Sequence, residues 1–318
     1  MESFLNTIFD DKEIIELLQN WFGCNLIADI SFQKFCILFG KGANGKSVII
    51  VVLTTMLGEA NVSCLGLECF DQSRTFALAG LMNKLANIVG EINEISKTSE
   101  GLLKNIVSGE LITVDRKYKE PITFRPSAKL TFATNVLPRI TDRSDGISRR
   151  LILIPFEKQF LDESKQDRRL TDPDFWINSG EIEGIFLWAL EGLKKLQAKG
   201  NFNKPKKVQE AINDYVCQTN PTYEFLKNTY IFSKGGKISR NNVFDSYKYW
   251  MQQNGFSPLN ANNFANEVKR AFPLVEGSKG LVTFPTKDYV SSSYRHRAWI
   301  DLALKPNDED EQCEQLLI

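Results

Sequence analysis

Phe35-Cys36-Ile37-Leu38-Phe39 runs directly into Gly40-Lys41-Gly42-Ala43-Asn44-Gly45-Lys46-Ser47, so an apolar strand pattern delivers a glycine-rich loop. The loop fits G-x-x-x-x-G-K-[ST], whose backbone N–H groups wrap a phosphate chain while the lysine reaches the β and γ phosphates and the hydroxyl ligates Mg²⁺. Beyond it, Val48, Ile49, Val51, Val52, Leu53, Met56 and Leu57 continue as an apolar helical pattern, which is the context the motif requires. The spacing predicts a site for ATP and Mg²⁺ built from Gly40, Gly42, Ala43, Asn44, Gly45, Lys46, Ser47 and Val48, with Ser47 on the metal.

Outward from the loop, the same strand pattern recurs at Leu85–Glu91, Lys129–Asn135 and Leu151–Phe156. Between the first two of these lie a helical segment, Leu102–Val107, and a strand–turn–strand running from Ile112 to Phe124. Asp11–Phe22 reads as a helix, as does Glu181–Lys199 with its stripe of Ile182, Ile185, Phe186, Trp188, Ala189, Leu190, Leu193 and Leu196. Strands separated by helical or hairpin insertions predict an α/β sheet.

The strand ends carry the remaining candidates. Hydrolysis of a bound nucleotide needs a carboxylate for Mg²⁺ and for the attacking water. Glu91 supplies it at a strand exit, with Gly90 where many such enzymes have a first acid and Glu94 as a helper candidate. Asn135 ends the next strand, where an amide can position the water or sense the γ-phosphate; a turn-forming Asn is the plainer alternative. Arg149 and Arg150 precede an apolar strand and are candidates for an arginine finger acting on a neighbouring subunit's ATP, against simple surface salt-bridging. The turn Asp115-Arg116-Lys117-Tyr118-Lys119-Glu120 places Arg116, Lys117 and Lys119 around an aromatic, which suits phosphate contact and base stacking in single-stranded DNA; a solvated charged turn is the alternative.

Composition narrows the class. With 318 residues, 42% hydrophobic and 22 Phe, two domains with real cores are expected. No apolar run reaches the length of a membrane span and Met1–Phe4 begins no leader, so a cytoplasmic protein without membrane contact is expected. The six cysteines form no C-x-x-C pair, which argues against disulfides and zinc. The single histidine, His296, excludes His-based triads and reads as a surface residue between two arginines. The net charge of zero conceals a split: Tyr215–Lys305 carries 12 Lys+Arg against 6 Asp+Glu, whereas residues 306–318 carry five acids and no base. A basic region followed by an acidic tail is a frequent layout in nucleic-acid binders.

That C-terminal region has its own pattern. Tyr223–Asn228, Asn242–Gln253 and Ala261–Phe272 read as three short helices, followed by Leu274–Phe284 as a hairpin and Arg297–Leu304 as a strand. The order is that of a winged helix, whose later helix enters the major groove, here presenting Asn262, Asn263, Asn266, Lys269 and Arg270; a protein-docking winged helix is the alternative. The expected division is an N-terminal helical segment 1–30, an ATPase core 31–200, a linker and helix 201–220, a winged helix 221–305 and an acidic tail 306–318.

Taken in order, GKGANGKS at 40–47, the strand ending in Glu91, Leu103-Lys104 with Ser108-Gly109-Glu110, the basic hairpin, Phe132–Pro138, Asp142–Gly146 and Arg149-Arg150-Leu151 resemble the superfamily 3 helicases of phage and plasmid primase-helicases. They are especially similar to the replication proteins of staphylococcal pathogenicity islands and chromosome cassettes. The resemblance covers about residues 12–220. It implies an AAA+ P-loop fold, a homo-hexameric ring, host or element replication proteins as further partners, and ATP-driven DNA unwinding in the 3′ to 5′ direction during replication initiation of a mobile element. Glu110 departs from a common Asp, and with no primase, zinc or collar region ahead of residue 1, priming is not expected. The competing reading is an ATPase switch that assembles at an origin without unwinding.

Overall fold

The computed structural model describes residues 1–70, 75–92, 97–138, 146–162, 166–285 and 293–305, which form two compact units, Met1–Tyr215 and Val216 onward. In the first unit the elements run α1 (Glu2–Ile8), α2 (Lys12–Cys24), β1 (Phe35–Phe39), α3 (Lys46–Leu57), β2 (Val62–Ser63), α4 (Thr75–Leu78), β3 (Ala86–Val89), α5 (Lys97–Val107), β4 (Ile112–Arg116), β5 (Lys119–Phe124), β6 (Lys129–Thr134), β7 (Leu151–Pro155), α6 (Pro173–Asn178), α7 (Glu181–Lys199) and α8 (Lys206–Thr219). The division between units falls inside α8. In the second unit follow α9 (Pro221–Thr229), β8 (Tyr230–Ser239), α10 (Arg240–Gln253), α11 (Ala261–Ala271), β9 (Glu276–Pro285) and β10 (Ser293–Leu304).

The first unit is built on a five-stranded parallel sheet of order β2-β3-β6-β1-β7. Parallel strands covered on both faces read as unbroken apolar runs, and β1, β3 and β6 are buried along nearly their whole length. Successive residues then feed opposite cores. Cys36, Leu38, Ile88, Ala133, Ile152 and Ile154 join the core under α1, α2, α3 and α7, while Phe35, Ile37, Val89, Phe132, Leu151 and Leu153 join the core shared with α5 and β4.

Helix α2 is capped by Asp11, whose carboxylate accepts from the Glu13 N–H, and buries Ile14, Leu17, Leu18 and Trp21. Trp21 Nε1 donates to Thr131 Oγ1 at 3.0 Å, pinning the helix to β6. Helices α2 and α7 cross on glycine. A Cβ at Gly23 would lie 2.4 Å from the Ala189 carbonyl, and one at Gly192 would lie 2.3 Å from that of Gln19, so both glycines are required by backbone approach.

The β4–β5 hairpin stands as a separate two-stranded sheet. In the second unit, β8-β10-β9 forms an antiparallel sheet with α9, α10 and α11 around a core of Phe225, Tyr247, Phe264, Val268, Trp299 and Leu302. The order of helix, strand, two helices and two strands is winged-helix-like. It corrects the sequence reading in two places. Strand β8 has no clear sequence signal, because Gly235 and Gly236 interrupt a polar Tyr230–Ser239 stretch that lacks clean alternation. Leu274–Phe284 is not a hairpin but contributes the single strand β9, whose partner is β10. Among the described residues no helix is long and apolar enough to cross a membrane.

Candidate nucleotide site and DNA-contacting surfaces

Three strands that end on the same side of the sheet build the candidate nucleotide site. Because β1, β3 and β6 are parallel, their carboxyl ends deliver Gly40–Ser47, Glu91 and Asn135 to one edge, where open α/β sheets bind ligands. A cavity of about 890 Å³ lies there, within the range of small-molecule sites, lined by Gly42, Ala43, Asn44, Gly45, Lys46, Ser47 and Val48 together with Glu91 and Asn135. Gly40 is not on its wall. Its carbonyl instead accepts from Lys46 Nζ at 2.5 Å, and its N–H donates to the Thr134 carbonyl at 3.3 Å, which locks the loop to β6.

The loop is held through its acceptors. The Gly42 carbonyl accepts from Gln159 Nε2 and the Ala43 carbonyl from the Phe160 N–H. Gly45 has φ +92°, a left-handed conformation that glycine adopts without strain, and a Cβ there would lie 3.0 Å from the Phe4 ring. Helix α3 begins at the next residue, so its positive end faces the cavity. Lys46 is buried, and desolvation holds its ammonium below the usual lysine range. It donates to Asn44 Oδ1 and Asn135 Oδ1, both at 3.0 Å. Among the described residues this buried cation is held by neutral oxygens alone, which poises it for an anionic partner. Ser47 and Glu91 are exposed on the cavity wall. Glu94, like Asp142–Asp145, lies outside the described residues.

Part of the wall has no counterpart among the sequence candidates. Helix α1 contributes Phe4 and Ile8, and the segment before and within α6 contributes Arg168, Leu170 and Phe175. Their i,i+4 and short apolar patterns are indistinguishable in sequence from ordinary core packing.

Arg149 and Arg150 do not line this cavity. Leu151 pairs with Phe35, so both arginines sit at the amino end of the sheet, a strand length of about 13 Å from the loop. They are not equivalent. Arg150 donates to Ser108 Oγ at 2.7 Å and to the Gly146 carbonyl at 2.6 Å, whereas Arg149 is exposed.

At the β4–β5 tip, Tyr118 is 92% exposed at φ +59° and Lys117 Nζ lies 5.2 Å from its ring centroid. Lys117 and Lys119 are exposed, while Arg116 is turned back onto the Glu120 carbonyl at 3.0–3.1 Å. On α11, Asn262, Asn263, Asn266 and Lys269 form an exposed face. Arg270 is a correction: its side chain is only 14% exposed and pairs at 3.7 Å with Glu267, itself bonded to Asn220, so it does not belong to that face. His296 is also corrected, since it is half-buried, with Nδ1 3.2 Å from Ser239 Oγ.

A family described as a family of unknown function (DUF5906) matches residues 38–150, and the RFX DNA-binding domain matches residues 219–278. The chain is 26% identical over 306 residues to "Putative helicase L207/L206" of Acanthamoeba polyphaga mimivirus, covering 89% of this chain and 32% of that protein. It is 25% identical over 319 residues to "Putative helicase 184R" of Invertebrate iridescent virus 6, covering 88% and 32%. The chain thus spans about a third of the length of these relatives. The solved apo structure of the NrS-1 C-terminal region, 13% identical, shares the fold with a TM-score of 0.56 over 94% of this chain and 74% of that one.

Proposed function

We propose that the chain is an ATP-driven DNA helicase, an AAA+ core of the superfamily 3 type joined to a winged-helix DNA-binding unit. It works as a homo-hexameric ring moving 3′ to 5′ in replication initiation of a mobile element. The observation that carries this reading is the convergence of Lys46, Glu91 and Asn135, from three strand ends, on one cavity beside a helix N-terminus. The similarity to viral proteins named helicases supports the DNA-directed part.

In this reading the loop and Lys46 hold the β and γ phosphates, and the apolar wall of Phe4, Ile8, Leu170 and Phe175 receives the base. Glu91 takes the proton of the water that attacks the γ-phosphorus as the bond to the bridging oxygen breaks. Asn135 exchanges its bond to Lys46 for one to the γ-phosphate or that water, which lets the site register whether the γ-phosphate is present. The donors fit Mg²⁺. Ser47 and Glu91 are both oxygen donors on the same wall, and Mg²⁺ characteristically takes one or two protein oxygens and completes its shell with phosphate and water. When bound, it neutralises charge developing on the β and γ oxygens.

Lys117, Tyr118 and Lys119 suit a single strand, two cations for the backbone and a ring for a base. Lys117→Ala with Lys119→Ala should weaken binding to single-stranded DNA and lower the slope of log K against log salt by roughly 0.7 for each phosphate no longer neutralised. Fluorescence anisotropy across a salt series measures both, and an unchanged slope removes the hairpin from the DNA path. The proposal as a whole is tested by adding single-stranded DNA to the ATPase. Stimulation is expected, and turnover indifferent to DNA would contradict the coupling of the nucleotide site to DNA.

A further inference from the structure

Between the start of α10, the start of α11 and strands β9 and β10 lies a second cavity of about 380 Å³. Arg240, Asn262, His296, Arg297 and Trp299 line it, and among the described residues no Asp or Glu does. Four separate features make it electropositive. Arg240 is the first residue of α10, a 14-residue helix capped by Ser239, and its guanidinium lies 4.4 Å from the Trp299 ring centroid, which fixes it in place. Arg297 enters from β10, one residue before Ala298, which pairs with Ser239. Ala261 and Asn262, the first residues of α11, bring a second helix N-terminus to the same space, capped by Asn260. Among the described residues neither guanidinium has an ion-pair or hydrogen-bond partner. Burial first, and then the like charge of Arg297, hold Arg240 below the usual arginine range, so an anion would relieve both costs.

The geometry points to a seat for one backbone phosphodiester of duplex DNA, held by Arg240 and Arg297 and by the N–H groups at the two helix starts. The inference rests on the DNA-binding reading of this unit and assigns it a contact outside the α11 face. A phosphate suits the cavity because its oxygens, spread over a tetrahedron, can take donors from the separate elements that line it, the starts of α10 and α11 and strand β10. The seat lies beside Asn262, at the amino end of the exposed α11 face, so a strand held here sets the register of Asn263 and Asn266 on the bases.

Because both arginines serve one phosphate, their effects should not add. Full-length wild type, Arg297→Gln, Arg240→Gln and the double variant are titrated with a labelled random-sequence duplex over a salt series. Each single variant should weaken binding roughly fivefold near physiological salt, and the double variant should lower the log–log slope by about 0.9, the value for one phosphate and not two. Arg297, being exposed, keeps the test sound if removing Arg240 from Trp299 disturbs folding. Wild-type duplex affinity and slope in the double variant would overturn the seat while leaving the unit a DNA binder. Absence of duplex binding by wild type would overturn both, and loss of polyglutamate binding with duplex binding intact would reassign the cavity to an acidic protein partner.

Discussion

Lys46→Ala is expected to lower ATP turnover by roughly 10²–10³-fold, the scale for removing one preorganised donor from developing transition-state charge. The side chain is buried, and its removal leaves the Gly40 carbonyl, Asn44 Oδ1 and Asn135 Oδ1 without their donor. Asn44 and Asn135 line a cavity that water can enter, so folding should survive, which a thermal melt checks. Glu91→Gln separates binding from chemistry. It keeps the shape and removes the base, so a fluorescent ATP analogue should still bind while turnover falls by about 10²–10⁴-fold. Near wild-type turnover in the Gln variant would overturn the assignment of Glu91 and make Glu94 the next candidate.

Arg149→Ala should lower turnover by roughly 10³–10⁵-fold if the residue is an arginine finger, and the sheet register decides on whose nucleotide it acts. Its guanidinium starts a strand length away from its own loop, at the opposite end of β1 and β7, so it can serve only a neighbour's site. Mixing Arg149→Ala with Lys46→Ala should therefore restore activity, because some interfaces in a mixed ring pair an intact loop with an intact finger. The recovery should grow with protein concentration and with added DNA. Arg150 should not behave this way, since it is tied to Ser108 and Gly146 and its removal should act through stability. No recovery in mixtures shown by light scattering to form hetero-oligomers would reject the finger.

The parts of the fold that are legible in sequence are those in which one local pattern has one physical meaning. Phe35–Ser47 combines an all-apolar strand with a loop whose glycines and lysine have few other uses, and Asp11 marks a cap ahead of a clean apolar stripe. The parts that are not legible depend on partners far along the chain. Arg270 reads as a groove-facing cation, yet Glu267, itself held by Asn220, draws it out of that face. Phe4 and Ile8 meet the loop only because α1 folds across it, and β8 acquires its identity from pairing with β10 rather than from its own residues. His296 and Arg297 read as a charged surface run, whereas antiparallel pairing sets them against the start of α10.

Strand displacement on a forked duplex is the most direct test of the central claim. Wild-type chain with ATP and Mg²⁺ should release the labelled strand from a fork with a 3′ single-stranded arm, should fail with a non-hydrolysable analogue, and should fail when Glu91 is Gln. Robust DNA-stimulated hydrolysis of ATP with no strand released from a fork of either polarity would contradict the helicase and leave an ATP-gated DNA-binding switch.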